Sequence, residues 1–554
     1  MASVWGPAPP GIEDLNTTEH TVWRGDLPPH ENGIVVVGTP IGSSAFMAEH
    51  GRRRACEEQE LLDALQQLPQ SQHAWLLLLF CAVPRANHLL RTVPPGAAEE
   101  YAQDHDSRVD AAFCRLLGLP PSPETGSTHG LAARIWRRQA RMPTRYGGCG
   151  LRDSSRTSSA AYWASWADCL PTLLARFPDL RAPLMQEFES LEAGSPGEGI
   201  PACLVSVAAA ARQLNAAGMQ PRPAWLDLAS GARPEPPSED EVQPGTWVHG
   251  WQFRASDALE QREHHLLLNA LAGSSARGPL PGRARLRSCS GPASGWWMAV
   301  APTSPALRLA NDEFLFAMRR RLGLGLDGGA VSCEGCGREL DLHGHHRVAC
   351  TRTGRIHARH RTLVAAWRQV LQEAGGVIPD RNVERMLRNT HIPVDATDSR
   401  RMDLVVPGLS VALGLPLFCD VTCVSPIGVS GHARPGCTMR NGNILLNAAH
   451  NNSNDYPEVE SSGLGRLLCL GVEPYGRWCE DVLSLVPKLA RDKCRSLPAS
   501  IRSSVQAATL RRWWGLLGIA VQRSCAACVL RAAGGDLANT PAERPPALAE
   551  LPAA

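Results

Sequence analysis

Lysine is almost missing from this chain. Of the 56 basic residues only Lys488 and Lys493 are lysines, and the others are arginines. Chemistry that depends on a lysine side chain therefore has very few candidates. The net charge of +2 gives no general attraction to polyanions, so any binding of nucleic acid has to come from local basic patches.

Segments typical of export and of membranes are also missing. The N-terminus lacks a basic start followed by an apolar core. The longest apolar run, at 74–83, is too short to cross a bilayer. Most of the 18 cysteines are scattered singly, as buried small side chains would be. We therefore expect a reduced intracellular protein that contacts no membrane and binds no small-molecule cofactor.

The order of patterns along the chain predicts several compact units of mixed α and α/β class. A strand pattern at 33–47 precedes helical patterns that continue to about residue 190. A Pro-rich and acidic stretch at 229–245 predicts an exposed linker. Beyond residue 356, strand patterns such as "MDLVV" and "PLFCDVTCV" alternate with helical ones, and an apolar helix is predicted at 500–533.

Three cysteines and three histidines crowd into "SCEGCGRELDLHGHHRVAC" at 332–350. The pair Cys333-x2-Cys336 is typical of the first half of a tetrahedral zinc site. Cys350 with either His345 or His346 has suitable spacing for the second half, and His343 is a third, poorer candidate. The spacing alone does not decide between His345 and His346. A zinc ion held by four side chains would be structural. The alternative is a loop with buried thiols and solvated histidines.

Several motifs, taken in order, resemble the C-terminal part of non-LTR retrotransposon reverse transcriptases. "GIVVVGTPIG", "PRANHLLRTVPP", "RQARMPTRYGGCGLRDSS" and "AAYWASWAD" are similar to the end of the palm and the helical thumb. "FAMRRRLGL", the cysteine and histidine stretch and "ARHRTLV" resemble the zinc knuckle of these proteins. "RRMDLVVPGL" and "GLPLFCDVTCVSP" resemble their restriction-like endonuclease. The knuckle pattern Asp-x-x-Gly-x-His-x3-Cys then favours His346 as the zinc ligand.

The resemblance implies five consecutive regions. They are the end of a palm and a helical thumb-like unit at 30–190, a linker and connecting region at 191–310, a CCHC zinc-knuckle region at 311–360, a restriction-endonuclease-like α/β domain at 361–535 and a disordered tail at 536–554. A polymerase needs metal-binding aspartates, which are usually adjacent in a Tyr-x-Asp-Asp turn. The sequence contains no Asp-Asp dipeptide. We therefore expect no polymerase activity from this chain.

The endonuclease resemblance implies a site where two carboxylates hold Mg²⁺ or Mn²⁺. Asp403 and Asp420 each adjoin a short apolar strand pattern, and Glu384 is a candidate for an additional acid. Thr422 stands where these nucleases usually carry a lysine. The alternative for both aspartates is a structural role at the strand ends, as turn caps or as partners of neighbouring arginines.

Arginine patches are candidate contacts to phosphates. They flank the knuckle and also occur on an earlier predicted helix, at Arg319, Arg320, Arg321, Arg352, Arg355, Arg359, Arg361, Arg137, Arg138 and Arg141. The alternative is a set of solvated helix faces balanced by acidic segments.

The expected function is therefore binding of DNA or RNA in the nucleus, together with nicking of target DNA. The rival expectation is a remnant that binds nucleic acid without cleaving it, which the missing lysine favours. A zinc-stabilised module that binds other proteins is a third possibility, and it would make the arginine patches dispensable.

Overall fold

The architecture comes from a computed structural model. It describes residues 10–11, 14, 27–119, 128–194, 200–234, 250–275, 278–326, 332–378 and 385–530. Glu384, most of the predicted linker at 229–245 and the predicted tail at 536–554 lie outside the described residues.

The described chain is mostly helical. Its helices are α1 Ser44–Leu65, α2 Ser71–Leu77, α3 Asn87–Thr92, α4 Pro95–Leu116, α5 Thr128–Arg141, α6 Ser154–Arg176, α7 Arg181–Glu192, α8 Ala202–Ala216, α9 Trp225–Ala229, α10 Trp251–Ala270, α11 Pro281–Cys289, α12 Asn311–Leu322, α13 His345–Ala349, α14 Arg355–Glu373, α15 Asn443–Asp455, α16 Pro457–Ser461, α17 Glu480–Cys494 and α18 Ala499–Leu530. The mixed α and α/β class expected from the sequence holds at this coarse level.

Over the described ranges, the strands are short and form four small sheets. They are β1 Gly33–Val36, β2 Thr39–Gly42, β3 Ser274–Ser275, β4 Gly278–Pro279, β5 Arg385–Met386, β6 Arg401–Met402, β7 Leu404–Val406, β8 Leu417–Cys423 and β9 Arg466–Val472. The pairs β1–β2, β3–β4 and β5–β6 are antiparallel. In the three-stranded sheet β8 is central, with β7 antiparallel and β9 parallel to it.

The strand pattern predicted at 33–47 is a hairpin followed by a helix. Val37 and Gly38 both have positive φ angles, 50° and 78°, as a tight two-residue turn between antiparallel strands requires. Ser43 then caps α1 by accepting the N–H of Phe46 at 3.1 Å. The turn and the cap together explain why strand and helix follow each other so closely.

The largest hydrophobic cluster joins both halves of the chain. It includes Leu62 and Trp75 near the N-terminus, Trp297 and Phe314 in the middle and Val529 at the end of α18. Residues on both sides of 190, 310 and 360 belong to it. Segments of this protein that contain only one of these parts would therefore expose apolar surface.

The predicted connecting region at 191–310 contains helices α8 to α11. The first three of them pack with α6 and α7 around a second hydrophobic cluster, in which Trp163, Phe188 and Trp225 make close ring contacts. The pattern of small apolar residues in α8 buries one face of that helix, including Val207 and Leu214.

Helix α18 matches the apolar helix predicted at 500–533. By length and composition it could cross a membrane, but 89% of its most apolar window is buried inside the protein. Trp513 and Trp514 are buried, and so are Cys525 and Cys528, as the sequence indicated for all four. The apolar surface of the helix is thus covered by this chain's own core.

Candidate metal centre and carboxylate pair

Four side chains of the predicted zinc stretch meet at one point. The ligating atoms of Cys333, Cys336, His346 and Cys350 all lie within 4.8 Å of one another. Cys336 Sγ is 3.2 Å from His346 Nε2, and Cys333 Sγ is 3.9 Å from Cys350 Sγ. In a tetrahedral zinc site the sulfurs are about 3.8 Å apart. The cluster is therefore compatible with a structural zinc ion.

The backbone around this metal cluster is built for a tight loop. Gly337 N–H donates to Cys333 O at 2.8 Å, and Gly337 has a φ of +69°. Helix α13 then carries His346 back toward the cysteine pair, and Cys350 follows the helix directly. Each ligand thus comes from a turn or from a helix end.

Asp341 caps helix α13 with both carboxylate oxygens. Oδ1 accepts the N–H of His345 at 2.9 Å, and Oδ2 accepts the N–H of His346 at 2.6 Å. Burial alone would raise the pKa of Asp341, but hydrogen bonds from the His345 side chain and from both N–H groups hold it below its usual value. Asp341 therefore fixes the position of the ligand helix as a charged cap.

The two alternative histidines have different partners. His345 Nδ1 lies 3.2 Å from Asp341 Oδ1, whereas His346 Nε2 faces Cys336. His346 Nδ1 lies 2.9 Å from the carbonyl oxygen of Val429. Because a carbonyl oxygen can only accept a hydrogen bond, this contact places the proton of the imidazole on Nδ1. This contact leaves the Nε2 lone pair available for a metal. The geometry selects His346, as the knuckle pattern favoured.

The surroundings of the Cys333 thiol favour its ionisation. Burial opposes ionisation, but the N–H groups of Gly335 and Cys336 and a hydrogen bond with His346 outweigh it and lower the pKa of Cys333 to about 7. A thiolate is the form that binds zinc. Among the residues that the structure describes, no other group of three or more potential ligands converges in this way.

Three of the predicted nucleic-acid contacts are buried, which does not fit that role. Arg320, Arg321 and Arg359 have only 2%, 2% and 3% of their surface exposed. Arg321 Nη2 donates to Cys289 O at 2.9 Å, and Arg359 Nη2 donates to Cys423 O at 3.0 Å. Each of these guanidinium groups donates to a backbone carbonyl inside the protein, and burial leaves little of its surface for a phosphate.

The earlier arginine patch is neutralised by acidic partners. Its ion pairs join Arg137 to Asp110, Arg138 to Glu263 and Arg141 to Asp153. Arginines in such pairs contribute less to an electropositive surface than the sequence suggests.

Around the metal cluster, Arg352 and Arg361 are exposed and Arg319 is half-buried. Arg355 forms an ion pair with Glu334 and donates to Cys528 O. Arg352 and Arg361 are therefore the predicted arginines best placed to contact a polyanion.

Asp403 directly precedes β7, and Asp420 lies on the adjacent strand β8 of the three-stranded sheet. The antiparallel register pairs Leu404 with Cys419, and continuing it by one residue sets Asp403 opposite Asp420. Burial, followed by the nearby charge of Asp403, raises the pKa of Asp420 to about 6. The sequence thus brings together one buried and one half-buried carboxylate, and a divalent cation could relieve the repulsion between their charges.

Asp403 is held by two donors. Its Oδ2 accepts the N–H of Val421 at 2.7 Å, and its Oδ1 lies 3.0 Å from Nε2 of His360 on α14. Arg400, one of the two neighbouring arginines, forms ion pairs with Asp398 and Glu458 instead. The alternative in which Arg400 neutralises Asp403 therefore has no support.

His360 was missed in the sequence although a signal was present. It follows the helical spacing of Val364, Trp367 and Leu371, which are buried on the inner face of α14. A polar residue on such a face normally has a buried partner, and here the partner is Asp403.

No family model, curated protein or solved structure matches this chain. The functional conclusions below therefore depend on the residues and on their geometry.

Proposed function

We propose that this protein binds DNA or RNA next to a zinc knuckle and nicks DNA with Mg²⁺ or Mn²⁺ at Asp403 and Asp420. The observation that carries the proposal is the pair of neighbouring carboxylates, with Asp403 directly before β7 and Asp420 on β8. The ordered motifs that resemble retrotransposon endonucleases support the same function, and nicking of genomic DNA would take place in the nucleus.

The divalent cation, when bound, would activate a water molecule and offset charge on the scissile phosphate. Asp420 would supply the more exposed carboxylate of the pair, since Asp403 is 9% exposed and Asp420 is half-buried. Asp403 would be kept in one orientation by Val421 N–H on one oxygen and by His360 on the other. The chain's own residues thus fix the carboxylates before the substrate arrives.

The zinc knuckle would present basic side chains to the nucleic acid. Arg352 stands two residues after the ligand Cys350, and Arg361 lies on the exposed side of α14. Contacts of this type go to phosphates, so they give binding that weakens with salt and has little sequence preference.

A second candidate function is binding without cleavage. The hydrogen bonds of the two lysines favour this function. Lys488 donates to Ser484 Oγ at 2.8 Å, and Lys493 donates to Glu373 O. Neither bond points to the carboxylate pair. Thr422 in the usual lysine position supports the same rival.

A nicking assay on supercoiled plasmid separates the two functions. The full chain loaded with zinc should be used, because the main hydrophobic cluster contains residues from Leu62 to Val529. We expect wild-type protein to nick with Mn²⁺, and Asp403→Asn and Asp420→Asn to abolish nicking while leaving DNA binding intact. Asp395→Asn, at an exposed carboxylate bonded to Thr397, is the matched control. Folded protein that shifts DNA in a gel but never nicks it would establish the second function.

A further inference from the structure

A histidine that was not among the predicted metal-binding residues lies next to Asp403 and Asp420. His360 reaches Asp403 from α14, a helix that precedes the sheet in the chain. The 3.0 Å contact joins Nε2 to Oδ1. The other oxygen is bound by the backbone of β8. Asp403 is therefore clamped from a helix on one side and from a strand on the other.

His360 also lines a cavity. His360, His357 and Thr422 line a space of about 260 Å³, together with Ile356, Arg359 and Cys423. Thr422 stands two residues after Asp420 on β8, so its side chain points to the same face as the two aspartates. The imidazole thus lies where the cavity meets the carboxylate pair.

Other candidates for holding Asp403 can be compared with His360. Arg400 is engaged by Asp398 and Glu458, and Arg359 donates to Val348 O and Cys423 O. Among the contacts described for Asp403, His360 makes the one that comes from a side chain.

We propose that His360 is a positioning residue for metal-dependent nicking, because it holds the Asp403 carboxylate in the orientation that faces Asp420. The inference depends on the function proposed above and assigns His360 a role at that same site. A hydrogen-bonded partner of a metal-binding carboxylate commonly changes metal affinity or activity about 10- to 100-fold when it is removed. His360 does not replace the missing lysine as a permanent charge. It fixes the ligand instead.

The test compares two replacements of His360 in full-length, zinc-loaded protein. His360→Leu removes the hydrogen bond, whereas His360→Gln can still present an N–H to Asp403. We expect His360→Leu to raise the Mn²⁺ concentration for half-maximal nicking about 10- to 100-fold, and His360→Gln to recover most of this loss. Mn²⁺ affinity, measured by electron paramagnetic resonance without DNA, should shift in parallel. His391→Gln, at an exposed histidine, should match the wild type.

A double-mutant cycle with Asp403→Asn guards against a general loss of folding. If His360 acts through Asp403, then His360→Leu should weaken Mn²⁺ binding much less in the Asp403→Asn background than in the wild type. Equal losses in both backgrounds would overturn the inference, since a merely structural role would predict them.

The outcomes also separate this inference from the proposed function. Wild-type nicking with an unchanged Mn²⁺ dependence in His360→Leu would overturn the role of His360 and leave the nuclease standing. A wild-type protein that neither nicks nor binds Mn²⁺ beyond its zinc site would overturn both.

Discussion

The raised pKa of Asp420 makes a quantitative prediction about stability. Its pKa moves from 3.8 to about 6 in the folded protein, through burial first and the charge of Asp403 second. A shift of about 2 units corresponds to about 3 kcal/mol. Because the folded state binds the proton more tightly, the unfolded state ionises first as the pH rises. The free energy of unfolding therefore falls between about pH 4 and pH 6, and the full cost is present above that window.

Asp420→Asn removes the ionisable group and should relieve this cost. We expect the free energy of unfolding to rise by about 3 kcal/mol at about pH 7.5, and by roughly half as much at about pH 5. Urea denaturation of zinc-loaded protein without added Mg²⁺ or Mn²⁺ measures both values. A variant less stable than the wild type at the higher pH, or a gain that is the same at both pH values, would refute the reasoning.

Two further measurements check the cause. In Asp403→Asn the charge of the neighbour is lost but burial persists, so the pH dependence due to Asp420 should weaken without vanishing. Added Mn²⁺ should stabilise the wild type by mass action and should stabilise Asp420→Asn much less. Two carboxylates held close together destabilise the metal-free protein, and a bound cation restores that stability. This behaviour is expected of a metal-binding site.

Three other predictions concern the knuckle and its surroundings. Gly344 has a φ of +70°, and a Cβ there would lie 3.1 Å from Val529 Cγ2. Gly344→Ala should therefore lower the free energy of unfolding by about 1–2 kcal/mol, measured by urea denaturation. His346→Gln removes a zinc ligand and the contact to Val429 O, so zinc content should fall and amide exchange around Val429 should become faster by mass spectrometry. Arg352→Ala with Arg361→Ala should weaken DNA binding in filter assays and reduce the slope of log K against log salt by about 1–2 units. An unchanged slope would mean that these two arginines contact no phosphate.

The features that sequence reasoning recovered depend on local spacing. The Cys-x2-Cys pair, the following histidines and Cys350 predicted a cluster whose atoms do converge. Trp513 and Cys525 were correctly expected in the core, because an apolar helix of that length buries most of its surface. The choice of His346 over His345 came from a resemblance, and spacing alone could not make it, since the decision depends on the partners Asp341 and Val429.

The features that sequence reasoning missed depend on contacts between residues that are far apart in the sequence. A run such as Arg319–Arg321 shows charge, but only the fold shows that Arg321 donates to Cys289 O and Thr144 O. Strand β9, "RLLCLGV", was overlooked because a short apolar run does not distinguish a strand from a helix. Its parallel pairing with β8 depends on a connection through α15 and α16. The contact between His360 and Asp403 likewise joins two positions far apart in the chain.

Helix α18 has a consequence for the order in which the protein can be completed during synthesis. It packs against α12, α13, α14 and α17, all of which precede it in the chain. Val529 lies against Gly344 beside the metal cluster, and its carbonyl accepts a hydrogen bond from Arg347. A stop codon before Ala499 would therefore leave the metal cluster and helices α12, α14 and α17 without a shared partner. The main core can close only after residue 530 has left the ribosome, so the nascent chain must keep its apolar faces soluble until then.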